Sequence, residues 1–204
     1  MPKLGMEPIR RAALVEATIA EIGSCGTLDV TVAQIARRAG MSSALAHHYF
    51  GGKEQIFLAA MRHTLTVYAA GVRGALAMAQ GPQQRLEAVV RASFAGGNFR
   101  REVVAAWLNF YVLAQVSDDA RRLLSVYQRR LRSNLTRDLR PLVGARAPQV
   151  ADRIAAVIDG VYLRQSLGQG QPDGAAAVAT VLGCLELEVQ RGVVLRTTGR
   201  GPIS

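Results

Sequence analysis

Glycine and proline divide this chain into helical lengths, and nothing between them alternates like a strand. Breakers recur at Gly23–Gly26, Gly40, Gly51-Gly52, Gly81-Pro82, Gly96-Gly97, Pro141, Pro148, Gly168–Gly170, Pro172 and Gly192. Between them Ala, Leu, Arg and Gln dominate, and apolar residues return at intervals of three and four. No stretch shows sustained two-residue alternation with β-branched enrichment. The pattern predicts an all-α fold of about nine helices.

Local chemistry sets the expected ends. The first helix should run from about Pro8 to Ile22. The second opens at Thr31, with Gln34 three residues on as a capping-box pair, and stops near Gly40. Ser42 caps the third, which ends near Gly51-Gly52, and a long fourth covers Lys53 to about Gln80. Pro82 starts the fifth, which fails at Gly96-Gly97; the sixth covers about Phe99–Val116, and Ser117 caps a seventh that should stop before Pro141. Pro148 opens the eighth and Pro172 the ninth; Gly192 should close it, leaving a frayed tail from Thr197 to Ser204.

Composition narrows the class. The 204 residues can bury an ordinary core, and no run is long and apolar enough to span a bilayer; Gly174–Leu185 is too short and too rich in alanine. The N-terminus MPKLGMEPIRR carries charge without an apolar signal core, so a cytoplasmic location is expected. Cys25 and Cys184 lie outside any metal-ligand spacing and read as reduced thiols. The net charge of +10 points to polyanionic partners. It does not locate them. Residues 1–63 hold seven Lys/Arg against five Asp/Glu, net +2, and the remaining +8 lies beyond.

The segment Val30–Lys53, VTVAQIARRAGMSSALAHHYFGGK, has the form of a helix-turn-helix. Val32, Ile35, Ala36 and Ala39 give the second helix one buried face, Gly40 permits the turn, and Met41 can plug the angle. In the third helix Ala46 and Phe50 should face inward, with Tyr49 near the boundary and Leu45 ambiguous. That leaves Ser43, Ala44, His47 and His48 outward. Serine and histidine bond phosphates or base edges, small alanine allows close approach, and Lys53 can pair with a phosphate. Arg10 and Arg11 can add backbone contacts. The candidate DNA set is therefore Thr31, Ser42, Ser43, Ala44, Leu45, His47, His48, Tyr49 and Lys53 with Arg10 and Arg11. A helical corner with no DNA role remains the alternative.

The stretch IARRAGMSSALAHHYFGGKEQIFLAAM (residues 35–61) resembles the DNA-binding signature of tetracycline-repressor-type (TetR) regulators. Ala39-Gly40-Met41-Ser42, Phe50 and Lys53 match it; Ala46 replaces a leucine, and His47 stands where a phosphate-binding tyrosine is common. Within that family the lead Pro2-Lys3, Gly5-Met6 and Pro8-Ile9-Arg10-Arg11 resembles the choline-responsive betaine-inhibitor (BetI) branch. So does AAVIDGVYLR (residues 155–164), with Tyr162 in place of a tryptophan. The resemblance implies a DNA-binding head over residues 1–53 and an effector-binding and dimerisation part over 54–204. It implies a repressor that binds a pseudo-palindromic double-stranded operator and controls choline-to-glycine-betaine genes in response to choline.

The same resemblance implies a homodimer through the last two helices. Apolar stripes on both suit it: Ile154, Val157, Ile158 and Val161 on the eighth; Val178, Val181, Leu182, Leu185 and Val189 on the ninth. They suit an intramolecular core equally. Phe94, Phe99, Trp107, Phe110, Tyr111, Tyr127 and Tyr162 gather in the expected effector region. A quaternary ammonium favours aromatic faces with a carboxylate nearby, so Trp107, Phe110, Tyr111, Tyr127, Asp159 and Tyr162 are the candidate effector residues. Ordinary core packing is the competing account of each. The three histidines, two of them adjacent, suit no metal, Ser43 and His47 lack a third catalytic member, and no phosphate-cradling glycine loop is present. Neither a cofactor nor an enzymatic activity is expected. The alternatives are a helical ligand-binding or scaffold protein without sequence-specific DNA binding, a TetR-type regulator with another effector, and more remotely a hydrolase built on His47 or His48.

Overall fold

The computed structural model describes residues 5–168 and 170–198. Among them the chain forms nine α-helices and no strand: α1 (Met6–Cys25), α2 (Val32–Arg38), α3 (Ser43–Phe50), α4 (Lys53–Met78), α5 (Gly81–Ser93), α6 (Arg101–Val116), α7 (Asp118–Val143), α8 (Ala147–Ser166) and α9 (Gly174–Thr198). A 3₁₀ turn, Gly144–Arg146, joins α7 to α8. The all-α expectation holds. The lead residues Pro2-Lys3 and the tail 199–204 lie outside the described residues.

Several expected ends move, α1 among them, which runs past Gly23 to Cys25. Pro141 lies inside α7, which continues to Val143. A proline there removes only the bond its own amide would give the Arg137 carbonyl, and buried Leu139 and Val143 hold the last turn until Gly144 turns out at φ +63°. Gly192 does not close α9, which runs on to Thr198; a lone glycine inside a helix is disfavoured by only about 1 kcal/mol relative to alanine. Pro172 stands outside α9, whose start is capped by Asp173, its Oδ1 accepting from the Ala176 amide at 3.0 Å.

By compactness the chain forms two units. One takes the chain through Val67 with Arg100–Leu124; the other takes Tyr68–Phe99 with the chain from Ser125 on. In the first, α1 packs on α6, α2 on α1 and α3 on α2, around fully buried Leu14, Ile22, Ile35 and Phe110. The α1–α6 crossing is close because Gly23 has no side chain: a Cβ there would lie 2.4 Å from the Glu102 Cα. In the second, α8 and α5 pack on α9, and Leu135, Leu139, Ile154 and Ile158 are fully buried. The buried Asp138 carboxylate accepts from Arg85 Nε at 3.1 Å and from Arg137 at 3.0 Å. Glu188 of α9 is held by both Arg146 and Arg153.

The α1–α6 crossing sets a test. Gly23→Ala should lower stability by about 1–3 kcal/mol, because the Cβ meets backbone that cannot rotate away. Gly74→Ala, in an exposed part of α4 with nothing within 4 Å, should raise it by about 0.4–1 kcal/mol. Urea denaturation of both variants beside the parent checks the opposite signs.

Candidate nucleic-acid interface and ligand centre

Two caps and one left-handed glycine fix the α2–α3 corner. The Thr31 hydroxyl accepts from the Gln34 amide at 3.2 Å while the Gln34 side chain accepts from the Thr31 amide at 2.7 Å, completing the capping box. Gly40 turns the chain at φ +68°, and the Met41 amide returns to the Ala36 carbonyl at 2.8 Å. Ser42 then caps α3 by accepting from the Leu45 amide at 3.2 Å. All of this is local, which is why the sequence reads it well.

The faces of α3 fall as the periodicity requires. Ala46 is fully buried; Leu45, Tyr49 and Phe50 are half-buried; Ser43, Ala44, His47 and His48 are exposed together. Thr31 and Ser42 are exposed at the starts of α2 and α3. His47 Nδ1 lies 3.3 Å from the Gly51 carbonyl oxygen. With Nδ1–H donating there, the ring offers a second donor, at Nε2, only as the imidazolium. Lys53 is half-buried, its ammonium 5.5 Å from the Phe57 ring centre. Arg10 is half-buried on α1. Arg11 lies along the end of α3 with its side chain still 43% exposed: its guanidinium is 4.4 Å from the Phe50 ring centre, donates to the Tyr49 carbonyl and pairs with Glu7. It braces the end of α3, a role that no pattern on α1 alone discloses.

The candidate ligand residues divide between the units. Trp107, Phe110 and Tyr111 belong to α6, with the Trp107 ring 6.5 Å from Phe110 and 6.1 Å from Tyr111. Tyr127, Asp159 and Tyr162 belong to the other unit, in a cluster that also takes in Tyr68, Phe94 and Phe99. Phe94 stacks on Tyr162 at 5.5 Å, Phe99 meets Tyr162 edge-on at 5.0 Å, and Tyr68 meets Tyr127 edge-on at 5.4 Å. Ser93 joins the two halves. Tyr162 donates to its carbonyl, and the Tyr68 hydroxyl lies 3.4 Å from its Oγ, which itself donates to the Val89 carbonyl at 2.9 Å. Tyr68 is absent from the candidates drawn from sequence, although buried Met61, Thr64, Tyr68 and Val72 mark one helical face of α4.

Burial raises both phenols, and the negative charge of Asp159 pushes each the same way; for Tyr162 the Tyr68 phenol adds to it, and for Tyr68 the Ser93 bond partly opposes it. A buried set of aromatic faces and neutral phenols beside a carboxylate repels anions. It suits an organic cation.

Known proteins resemble this chain over most of its length. The tetR family of bacterial regulatory proteins is matched over residues 14–60, and the C-terminal region of BetI-type transcriptional repressors over residues 82–189. The HTH-type transcriptional regulator BetI of Brucella suis biovar 1 (strain 1330) is 51% identical over 182 residues, 89% of this chain and 92% of that one. The protein of the same name from Rhizobium meliloti (strain 1021) is 51% identical over 180 residues, 88% and 89% of the two chains. Among solved structures, a TetR transcription regulator from Haloarcula marismortui ATCC 43049 shares the fold at a TM-score of 0.78 and 17% identity, covering 88% of this chain and 98% of that one. A protein from Saccharomonospora viridis solved in complex with choline does so at 0.76 and 21%, covering 86% and 95%.

The raised phenols carry a pH dependence. Folding favours their protonated forms, so that stabilisation is complete below their ordinary value of 10.0 and is lost as pH rises through and above it. Melting temperature should therefore fall more steeply above pH 10 in the parent than in a Tyr68→Phe/Tyr162→Phe double variant. Equal slopes would show that these phenols do not govern alkaline unfolding.

Proposed function

The chain belongs to the tetR family of bacterial regulatory proteins, in its BetI-type branch, and on that premise we propose a homodimeric repressor that reads operator DNA with residues 1–53 and senses choline, or a close quaternary ammonium relative, with residues 54–204. The exposed face of α3 carries the first half of this reading: Ser43, Ala44, His47 and His48 stand out together over buried Ala46, on a helix whose start is fixed by Ser42. Thr31, Ser42, Leu45, Tyr49, Lys53 and Arg10 complete the proposed contact set. Arg11 acts chiefly by holding α3 in place.

The centre of Tyr68, Phe94, Phe99, Tyr127, Asp159 and Tyr162 supports the second half. Aromatic faces attract a quaternary ammonium by about 0.5–2 kcal/mol each, and a carboxylate adds charge complementarity. Trp107, Phe110 and Tyr111 of α6 belong to the other unit, and the proposed centre is made without them. The complex of the Saccharomonospora viridis protein with choline supports the same ligand class. Control of choline-to-glycine-betaine genes follows from the BetI-type relationship.

Dimerisation is proposed along α8 and α9. Their buried sides, Ile154, Ile158, Val181 and Leu185, serve the chain's own core. Their outer sides leave an open groove of about 890 Å³, lined among others by Val157, Cys184, Leu187 and Arg191. A two-fold pair would set two α3 helices roughly 34–36 Å apart, one turn of B-DNA.

The test uses a duplex selected by the protein itself from a randomised pool, with a scrambled duplex as control, read by fluorescence anisotropy. His47→Ala and Lys53→Ala should each weaken the selected duplex by about tenfold, and Lys53→Ala should reduce the salt slope by about one. Choline should shift the affinity of the parent and act far more weakly on Asp159→Asn. Its neutral carbon isostere, 3,3-dimethylbutan-1-ol, should be without effect. Equal affinity for both duplexes would remove the operator reading, and an effective isostere would remove the cation reading.

A further inference from the structure

Where α6 gives way to α7, one buried serine joins three helices. The Ser117 amide donates to the Leu113 carbonyl at 2.9 Å and closes α6; its carbonyl accepts from the Arg121 amide at 3.0 Å and opens α7. Its hydroxyl accepts from the Ala120 amide at 3.4 Å and donates to Glu54 Oε1 at 2.9 Å. Glu54 sits in the first turn of α4, beside Lys53 and only four residues past the end of α3 at Phe50. The corner is stiff. The Arg121 guanidinium donates to the Ala114 and Gln115 carbonyls at 3.2 and 3.1 Å and pairs with Asp118.

The two helices tied by this bond are the two that the compact units share. Lys53–Val67 of α4 and Asp118–Leu124 of α7 belong to the unit that contains α3. Tyr68 and the rest of α4, and Ser125–Val143 of α7, belong to the unit that contains Phe94, Asp159 and Tyr162. Both enter the α3 unit by their N-terminal ends, and there the hydroxyl–carboxylate bond joins them. A serine that only capped α7 would not need Glu54.

We propose that the Ser117–Glu54 hydrogen bond is the joint that couples the ligand state to the reading helix, so that these two residues set the size of the ligand response while contributing little to DNA or ligand affinity alone. The inference rests on the ligand-responsive reading above. Glu54→Ala removes the joint and leaves the Ser117 cap intact; Glu54→Gln keeps an acceptor oxygen without the charge. Ser117→Ala loses joint and cap together, and Ser117→Thr restores both.

The experiment measures the affinity of full-length protein for the selected duplex with and without choline chloride. In Glu54→Ala, affinity for the duplex without choline and for choline without duplex should stay within about threefold of the parent, while the choline-induced change in duplex affinity shrinks by about fivefold or more. Glu54→Gln and Ser117→Thr should retain most of it. A second arm needs no choline: amide hydrogen exchange across residues 118–124 should slow when the duplex binds the parent and change little in Glu54→Ala. A full choline response in Glu54→Ala, or the same exchange pattern in both proteins, overturns the joint. A parent indifferent to choline removes choline as effector, and the exchange arm still decides the joint.

Discussion

An eight-residue helix cannot hold its own shape in water. Nucleation is unfavourable enough that isolated helices below about 12–15 residues are marginal, and α3 has eight. Whatever α3 reads, it reads only because other elements hold it. Ser42 satisfies an exposed amide at its start, Ala46 is clamped beneath it, and Arg11 takes a carbonyl and a ring face at its end. These braces leave one side of the helix exposed, and that side carries the small and hydrogen-bonding residues. Arg11 in turn depends on α1, and α1 on its close crossing with α6 at Gly23. The head is thus organised backwards from one short helix.

The aromatic centre follows a different logic. Three phenols, two further rings and a carboxylate in a largely apolar setting are tolerable only where the polar atoms find partners, since an unsatisfied buried hydroxyl loses about 1–3 kcal/mol. Ser93 provides for two of the tyrosines, Tyr162 through its carbonyl and Tyr68 through its hydroxyl. Those two phenols therefore stay neutral and oriented, with Asp159 near both. Tyr68 gives α4 a direct stake in that arrangement.

What was legible in the sequence was what is local. The Thr31–Gln34 box, the Ser42 cap, the Gly40 turn and the inward–outward division of α3 each depend on residues within four positions, and each is found where the spacing put it. Punctuation proved less reliable than capping. Pro141 forfeits a single bond near a helix end that buried neighbours hold, and Gly192 is carried within a long helix. Roles that depend on distant partners were not legible. Arg11 reads as a free cation until Phe50 is seen beside it, and Tyr68 as ordinary core until Ser93 and Tyr127 are. Gly23 reads as a helix stop until Glu102 crosses it, although α1 continues to Cys25.

Coupling between a ligand centre and a reading helix demands a contact of the right size. Allosteric coupling free energies run to about 1–3 kcal/mol, and with Glu54 exposed to solvent its bond to Ser117 contributes nearer the ordinary value of about 0.5–1.5 kcal/mol. One such bond, made in one state and broken or lengthened in the other, reaches the lower part of that range. A packed apolar contact is a poorer candidate because it changes in small increments over many atoms, whereas a hydroxyl and a carboxylate either meet or do not. Ser117 has the further advantage of position. Its backbone and hydroxyl bonds tie it to α6 and α7, and its partner across to α4 is Glu54, one residue from Lys53. A small rotation of α4 that parted Glu54 from Ser117 would move Lys53 and α3 with it, which is how a bond of ordinary strength can govern where a helix of eight residues points.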